Sequence, residues 1–192
     1  MSARVQTNVI IFYKPVVLKR MLNLSYKAIS DNCVLKMDSN EINKFAKQFG
    51  LNKFLGVFAV DELSLIPKTR HGLVIFNTDT SQSVGQHWLA LCITKTKIFY
   101  FDSLNSNFQY SSHFTDFMKY TKKELMWNTI QIQSDISEKC GIHCLVFCYA
   151  MQKYKNKRSY ANFLKTFLDL SIDEREHLSV YYFNLINQIC SV

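Results

Sequence analysis

The most apolar helical segment of this 192-residue chain is Cys140-Gly-Ile-His-Cys-Leu-Val-Phe-Cys-Tyr-Ala-Met-Gln-Lys-Tyr154. Its apolar side chains cover most of the circumference of a helix, which predicts a central helix that is buried on most sides. The preceding residues, 134–139, are polar and loop-like, so we expect the helix to begin at Cys140. Such a helix needs other elements packed around it, and it therefore sets the fold.

Cys140 stands where the first backbone N–H groups of the predicted helix have no partner within the helix. Those groups and the helix dipole activate a thiol at that position, and they can also bind an oxyanion. Cys144 and Cys148 lie one and two turns deeper, and we expect them to be inert core thiols. His143 and Cys144 point about 100° apart on a helix, so they would not converge as zinc ligands and no metal site is predicted.

Three strands are predicted upstream of this helix, at 72–77, 87–94 and 97–103. Lys95-Thr96 is short enough to join the last two as a hairpin. Facing positions then make His87 and Asp102 diagonal neighbours, about 7–8 Å apart at the backbone. Both point to one face of the sheet, where the carboxylate can hold one imidazole nitrogen and leave the other facing a thiol.

Residues 127–133 alternate between apolar and polar side chains, which predicts a further strand with one wetter face. Gln133 ends this predicted strand and enters the loop before Cys140. A side-chain amide in that place can donate a hydrogen bond to an oxyanion.

A thiol, an imidazole, a carboxylate and an amide are together the parts of a cysteine hydrolase. In this interpretation Cys140 is the nucleophile, His87 the base, Asp102 the group that orients the base, and Gln133 an oxyanion donor. The alternative for each residue alone is structural: a histidine at a strand start, an aspartate in a turn, a glutamine at the surface. Motif matches of this kind carry false positives, so the pattern alone leaves that alternative open.

Helices are predicted around the sheet, at 38–50, 114–120, 159–170 and 173–189. The first is the clearest, because Asp38 and Glu41 form a capping-box pattern and Gly50 stands where helices commonly end. The predicted fold class is α+β, with a small mixed sheet, flanking helices and the buried helix in the centre.

The composition is that of a globular chain, with 48% hydrophobic and 20% charged residues, which excludes the disordered class. We expect one domain over 1–192, made of a basic extension at 1–36, with short strands at 9–13 and 16–18, and a core at 37–192. Neither an 18-residue apolar run nor a secretory signal pattern occurs, so we expect no membrane contact and a location inside a cell.

The formal net charge is +8, with a pI near 9.2. A basic surface favours a polyanion, most often nucleic acid, so DNA is a candidate partner. The alternative is a basic protein without such a partner. The lysines are spread along the chain, and no arginine-rich tail marks a binding arm.

Five segments form an ordered set. They are Phe54-Leu-Gly-Val-Phe, His71-Gly-Leu-Val-Ile-Phe-Asn77, Gly85-Gln-His-Trp-Leu-Ala-Leu, Tyr100-Phe-Asp-Ser and Cys140-Gly-Ile-His-Cys-Leu-Val-Phe. The set resembles the adenovirus-type (adenain-like) proteases and the related SUMO-specific protease superfamily. The third segment is similar to the family's Gly-x-His-Trp-x-Ala, and the fifth to its Cys-Gly-x-x-Cys helix. The fourth matches its acidic strand end, with Asp102 where adenain has Glu. The resemblance covers about residues 40–190.

The resemblance implies the fold of these proteases, a small mixed sheet flanked by helices with a buried nucleophile helix, and cysteine endopeptidase activity. Carried over residue by residue, it makes Cys140 the nucleophile, His87 the base and Asp102 the orienter. Gln133 is then the oxyanion donor, together with the backbone N–H of Cys140.

The resemblance also implies substrates and an activator. Family substrates are viral precursor proteins, often cut after Gly-Gly or Gly-x. Small residues before the scissile bond imply a narrow groove, so Trp88 is a candidate groove wall that also shields the imidazole from water. Gly141 is a second candidate substrate contact. A core aromatic is the alternative for Trp88. Adenain uses DNA and a disulfide-linked peptide, so DNA is a candidate activator, with no cofactor required for the chemistry. No cysteine lies between Lys119 and Gln133, where the peptide-linking thiol is expected, and residues 1–36 are a candidate intramolecular substitute.

These expectations favour a monomeric endopeptidase of viral capsid or virion precursors, from a virus, virophage or Maverick-type element. Its expected location is the virion and the host cell interior, in a viral factory or the nucleus. Three alternatives stay open. They are an isopeptidase for SUMO or ubiquitin-like tags, a non-catalytic nucleic-acid-binding virion protein, and an effector-type acetyltransferase, which lacks the flanking matches.

Overall fold

A computed structural model describes residues 36–106, 108, 111–153 and 156–191. The strands predicted at 9–13 and 16–18, and most of the predicted extension, lie outside the described residues. The division of the chain into an extension and a core stays a prediction.

The described residues contain a five-stranded mixed sheet in which the strands follow their order in the chain. The strands are β1 (Phe54–Ala59), β2 (Gly72–Asn77), β3 (Trp88–Ile93), β4 (Lys97–Phe101) and β5 (Glu124–Trp127). β2, β3 and β4 are antiparallel neighbours, whereas β1 and β5 pair in parallel with β2 and β4 at the two edges. The hairpin of β3 and β4 was predicted.

Five α-helices and one 3-10 helix are found in the described residues. They are α1 (Ser39–Gln48), the 3-10 helix (Val60–Leu65), α2 (Ser112–Thr121), α3 (Cys140–Lys153), α4 (Lys157–Lys165) and α5 (Ile172–Cys190). α1 begins with the predicted capping box, in which Asp38 and Glu41 accept each other's backbone N–H. None of the helices described here is long and apolar enough to cross a membrane.

Both faces of the sheet are buried, because side chains along the strands alternate between two apolar clusters. Leu73 and Ile75 of β2 face the cluster that contains α3, whereas Val74 and Phe76 face the cluster formed with the 3-10 helix and α2. The first cluster also includes residues of α1, α4 and α5. α3 is therefore enclosed between the sheet and three helices, and the predicted α+β class with a central buried helix is confirmed.

The strand predicted at 127–133 is wrong. β5 ends where that strand was expected to begin, and residues 128–133 are irregular. The Asn128 side chain replaces the ladder, because its Oδ1 accepts from the N–H of Asp102 at 2.8 Å and its Nδ2 donates to the carbonyl of Asp102 at 2.7 Å. Ile132 is nevertheless fully buried, so the alternation in the sequence reflects a loop packed on the core.

Three elements were not predicted, namely β1, β5 and the 3-10 helix, and the bounds of one helix were placed too far along the chain. β1 is half-buried throughout and its register is irregular between Phe54 and Gly56, so no clear alternation marks it. The 3-10 helix that follows is short. α4 begins after its cap at Asn156 and ends at Lys165, several residues earlier than predicted, because the chain turns at 166–169.

Candidate active site

The hairpin of β3 and β4 brings His87 and Asp102 together. Ala90 pairs with Phe101, which is the predicted register, and His87 and Asp102 lie just outside the two strands at that end. The Nε2 atom of His87 lies 2.8 Å from Oδ1 of Asp102. The contact expected from the hairpin register is therefore present.

The Asp102 carboxylate is buried, at 1% exposure, and both of its oxygens accept hydrogen bonds. Besides the imidazole, Oδ1 accepts the backbone N–H of Leu104 at 2.9 Å. Oδ2 accepts the N–H and the hydroxyl of Ser106, at 2.8 and 2.5 Å. These bonds fix the orientation of the carboxylate against the ring.

Cys140 is the first residue of α3, and its thiol lies close enough to the His87 ring to affect the pKa of that ring. Because Nε2 is bound to Asp102, Nδ1 is the ring nitrogen left for the thiol. Burial lowers the pKa of His87, but the hydrogen bonds and charges of Asp102 and Cys140 outweigh burial and raise it to about 9. A ring with that pKa carries its proton at neutral pH, and an imidazolium beside a thiol stabilises the thiolate.

The Gln133 amide is 2% exposed and is held at both ends. Its Oε1 accepts from the hydroxyl of Ser103 at 2.8 Å, and its Nε2 donates to the carbonyl of Ser137 at 2.5 Å. Because a carbonyl can only accept, the amide nitrogen must face Ser137. That nitrogen carries a second hydrogen, and Gln133 and Cys140 line the same cleft.

The loop at 134–139, which leads into α3, is anchored by Glu176 of α5. The carboxylate accepts from the N–H of Ser134 at 2.9 Å, from the hydroxyl of Ser137 at 3.0 Å and from the ammonium of Lys139 at 2.8 Å. Burial raises the pKa of Glu176, but these donors, Lys139 above all, bring it below its ordinary value. Sequence reasoning missed this residue, since no local pattern connects α5 to the loop.

The residues just before α1 pass across the start of α3. Nε1 of Trp88 donates to the carbonyl of Met37 at 2.8 Å, and the Met37 side chain is buried. A Cβ on Gly141 would lie only 3.1 Å from Cβ of Met37, so glycine lets the two segments pack closely. Trp88 lines the cleft and also packs on the core, whereas Gly141 is buried and does not line the cleft.

Gly85 lies very close to the side chain of Asn77, at the end of β2. A Cβ on Gly85 would lie 2.0 Å from Nδ2 of Asn77, so any other residue at this position would force the Asn77 side chain to move. Oδ1 of Asn77 accepts the N–H of Asp79, and Asp79 accepts the N–H of Gln86 at 3.0 Å. These contacts fix the loop that leads into His87.

The other thiols and imidazoles of the described residues lie apart from this group. Cys144 is fully buried and donates to the carbonyl of Trp88, and burial raises the pKa of its thiol well above the ordinary value, as an inert thiol requires. His143 is fully buried against Ser179, and burial lowers its pKa to about 3, so it is neutral. The exposed histidines are His71, His113 and His177. Within the described ranges, no three His, Cys, Asp or Glu side chains are placed to hold a metal ion.

A cleft of about 930 Å³ opens beside the thiol and is lined by Cys140, His87, Gln133 and Trp88, among others. The fold and this site define a class, the α+β cysteine peptidases whose thiol begins a buried helix. The family model described as adenovirus endoprotease matches residues 54–187. The chain belongs to this family, whose cysteine peptidases need no metal cofactor.

Solved structures with some similarity include two crystal structures of the ASFV pS273R protease. The selenomethionine form is 14% identical, with 87% of this chain and 77% of that chain covered and a TM-score of 0.49. The other form is 13% identical, with 92% of each chain covered and a TM-score of 0.46. A structure of AvrA delL154 with IP6 and CoA is 15% identical, covers 92% of this chain and 82% of that chain, and has a TM-score of 0.42. No curated protein matches the sequence.

Proposed function

We propose that this protein is a processing endopeptidase that cleaves viral capsid or other virion precursor proteins after small residues of the glycine type. One observation carries the catalytic part: the Nε2 atom of His87 is hydrogen-bonded to Asp102, and the same ring interacts with the Cys140 thiol, which lines the same cleft. The description of the matched family, adenovirus endoprotease, supports a viral polypeptide as the substrate. We place its activity, as a monomer, in the virion and the host cell interior, in a viral factory or the nucleus.

In the first half of the proposed reaction, the proton of the Cys140 thiol resides on Nδ1 of His87. The thiolate attacks the carbonyl carbon of the scissile peptide bond, and the carbonyl oxygen becomes an oxyanion. When the C–N bond breaks, His87 gives its proton to the leaving amine, and a thioester to Cys140 remains. Asp102 keeps the ring oriented and stabilises its charged form throughout.

In the second half, water attacks the thioester carbonyl and His87 accepts a proton from it. The C–S bond then breaks, which releases a carboxylic acid and restores the thiolate and the imidazolium. Both halves pass through an oxyanion. The second hydrogen of Gln133 Nε2 and the backbone N–H of Cys140 are its proposed donors, and one such donor is worth about 10²–10³-fold in rate.

The test is co-expression of the full chain with a viral capsid precursor. We expect a discrete cleavage that is abolished in Cys140→Ala. Cys190→Ala is the matched control, because this thiol lies at the end of α5, away from the cleft, and its loss should leave the cleavage unchanged. Mass spectrometry of the products then gives the residue before the cut.

Two results would overturn the proposal. Cleavage by Cys140→Ala at the wild-type rate would remove the catalytic assignment. If the wild-type protein leaves every candidate precursor intact but releases a ubiquitin-like tag from a fusion protein, the isopeptidase alternative is correct.

A further inference from the structure

The cleft beside Cys140 carries a charge opposite to that of the whole chain. Six carboxylate side chains line it, those of Asp38, Glu41, Glu62, Asp79, Asp135 and Glu138. Among the described residues that line the cleft, Lys36 is the single lysine or arginine, and it is ion-paired with Glu138 at 3.4 Å. The chain as a whole has a formal charge of +8, so this concentration of negative charge is local.

Most of these carboxylates are held by neutral donors, which leave their charge in place. Asp38 and Glu41 accept each other's N–H groups in the capping box of α1. Glu62 accepts the N–H of Ala59, and Asp79 that of Gln86. Asp135 accepts from the side-chain amide of Gln131 at 2.6 Å. The six carboxylates outnumber the two cations of the lining, Lys36 and the protonated His87, so the cleft is negative, and five of the six are held by the hydrogen bonds above.

We infer that the cleft accepts polypeptide segments that carry Lys or Arg close to the scissile bond. The inference rests on the proposed endopeptidase function and names the substrate class of that site. The thiol and the imidazole define where the site is, and the carboxylates determine the charge that it admits. A cleft lined by one sign of charge concentrates the field and attracts the opposite charge.

The same charge repels anions from the cleft. A nucleic-acid partner, expected from the net charge of the chain, would therefore have to contact a different surface. Acidic polypeptide segments should likewise be poor substrates, even where a small residue precedes the scissile bond.

Asp135 and Glu138 allow the most direct test, because both lie in the loop that leads into Cys140 and both are exposed. Neither takes part in the hydrogen bonds that hold the Gln133 amide or the His87 ring. Asp135→Asn with Glu138→Gln removes two charges and preserves the size of both side chains. The matched control is Asp116→Asn with Asp169→Asn, two exposed carboxylates outside the cleft.

The first measurement maps cleavage sites in a peptide library made from a denatured bacterial lysate. Sites that the wild-type protein cuts and Cys140→Ala does not cut are the sites of this active centre. We expect Lys and Arg to be enriched within a few positions of these sites. One cleaved peptide is then synthesised with its flanking basic residues kept or replaced by Glu. The ratio of the two kcat/KM values should be about tenfold or more at low salt and should shrink as NaCl is raised. Asp135→Asn with Glu138→Gln should reduce the ratio about threefold to tenfold, and the control pair should not change it.

The second measurement needs no cleavage. Fluorescein-labelled ten-residue peptides rich in Lys or in Glu are titrated with Cys140→Ala, and anisotropy reports binding. Tighter binding of the basic peptide, weakened by Asp135→Asn with Glu138→Gln, supports the inference. Equal binding, or a preference for the acidic peptide, overturns it. This outcome is distinct from failure of the proposed function, which is seen as unchanged cleavage by Cys140→Ala.

Discussion

The candidate active site is made of two halves that the protein builds in different ways. The hairpin half consists of His87 and Asp102, which one antiparallel register places side by side. The loop half consists of Gln133 and Cys140, separated by an irregular loop that Glu176 anchors from another helix. Local pairing positions the first half, whereas a contact distant in sequence positions the second.

The two halves also have different chemical duties. In the proposed reaction, the hairpin half moves protons, so its charge and its tautomer matter most. The loop half supplies the proposed nucleophile and the proposed oxyanion donors, so its exact shape matters most. Substitutions in the two halves should therefore fail in distinguishable ways, and five predictions test this.

The largest effect is expected from Asp102→Asn in the hairpin half. The amide keeps the shape of the carboxylate but loses the charge that stabilises the imidazolium, and it can hold the wrong tautomer. We expect kcat/KM to fall about 10²–10⁴-fold on a peptide that the wild-type protein cleaves. Asp169→Asn, an exposed carboxylate outside the cleft, is the control. A loss smaller than threefold would mean that His87 functions without this partner.

The next effect is on stability, and the pH at which stability is lost should differ between the two halves. The pKa of His87 is raised from 6.5 to about 9, so the stability it contributes is fully present below pH 6.5 and is lost as the pH rises through 9. Relative to His87→Gln, the wild-type free energy of unfolding should lose about 3 kcal/mol over that window. Urea unfolding at a series of pH values measures this. A difference that stays constant from pH 6 to 10 would contradict it.

The stability contributed by Glu176, which anchors the loop half, should instead be lost at low pH. The pKa of Glu176 is lowered from 4.5, so its contribution is present above that value and is lost as the pH falls through the lowered pKa. The difference in unfolding free energy between the wild-type protein and Glu176→Gln should therefore change only in acid. The same urea series, extended to low pH, provides the check.

A moderate effect on catalysis is expected from Glu176→Gln near neutral pH. The amide cannot accept all three bonds from Ser134, Ser137 and Lys139, so the loop loosens and the proposed oxyanion donors lose their alignment. We expect kcat to fall about 10–50-fold, within the range for one oxyanion donor. Alkylation of Cys140 by iodoacetamide, which needs the thiolate but no oxyanion donor, should change less than twofold.

Asp173→Asn, an exposed carboxylate on the same helix, is the control for this experiment. If Glu176→Gln slows alkylation as much as it slows peptide cleavage, Glu176 acts on the thiolate of Cys140 and not on the proposed oxyanion donors alone.

The smallest effect is expected from Ser103→Ala. The hydroxyl of Ser103 fixes Oε1 of Gln133, whereas its carbonyl separately accepts the N–H groups of Ile132 and Gln133. The substitution removes only the first contact, so the fold is kept and the amide gains freedom to rotate. We expect kcat to fall about threefold to tenfold and Tm to fall by about a few degrees, because the buried Oε1 loses its donor. Ser64→Ala, an exposed serine in the 3-10 helix, should change neither quantity.

The hairpin half could be predicted because its geometry follows from a short-range rule. Once Lys95 and Thr96 form the turn, the period of the strands decides which side chains are neighbours. Cys140 could be located for a similar reason, since a polar loop followed by an apolar run marks the start of a buried helix.

The loop half could be predicted only in part. Gln133 lines the cleft, but the strand expected to carry it does not exist, because the Asn128 side chain takes over the bonds of the ladder. Burial of alternate side chains on a packed loop imitates the pattern of a strand, and local spacing cannot distinguish the two. The contact of Glu176 with the loop was not predicted, since its three partners lie in a loop that precedes its helix by many residues.

The sequence by itself determined the buried helix that begins at Cys140, the register that joins His87 to Asp102, and the resemblance to the adenain-like proteases. These follow from periodicity, turn length and ordered motifs, which are local properties of the chain. Only the tertiary structure decided how Glu176 holds the loop before Cys140, and how six carboxylates converge on one cleft in a chain of charge +8. Net charge is a sum over residues, whereas the potential in a cleft depends on which residues folding brings together.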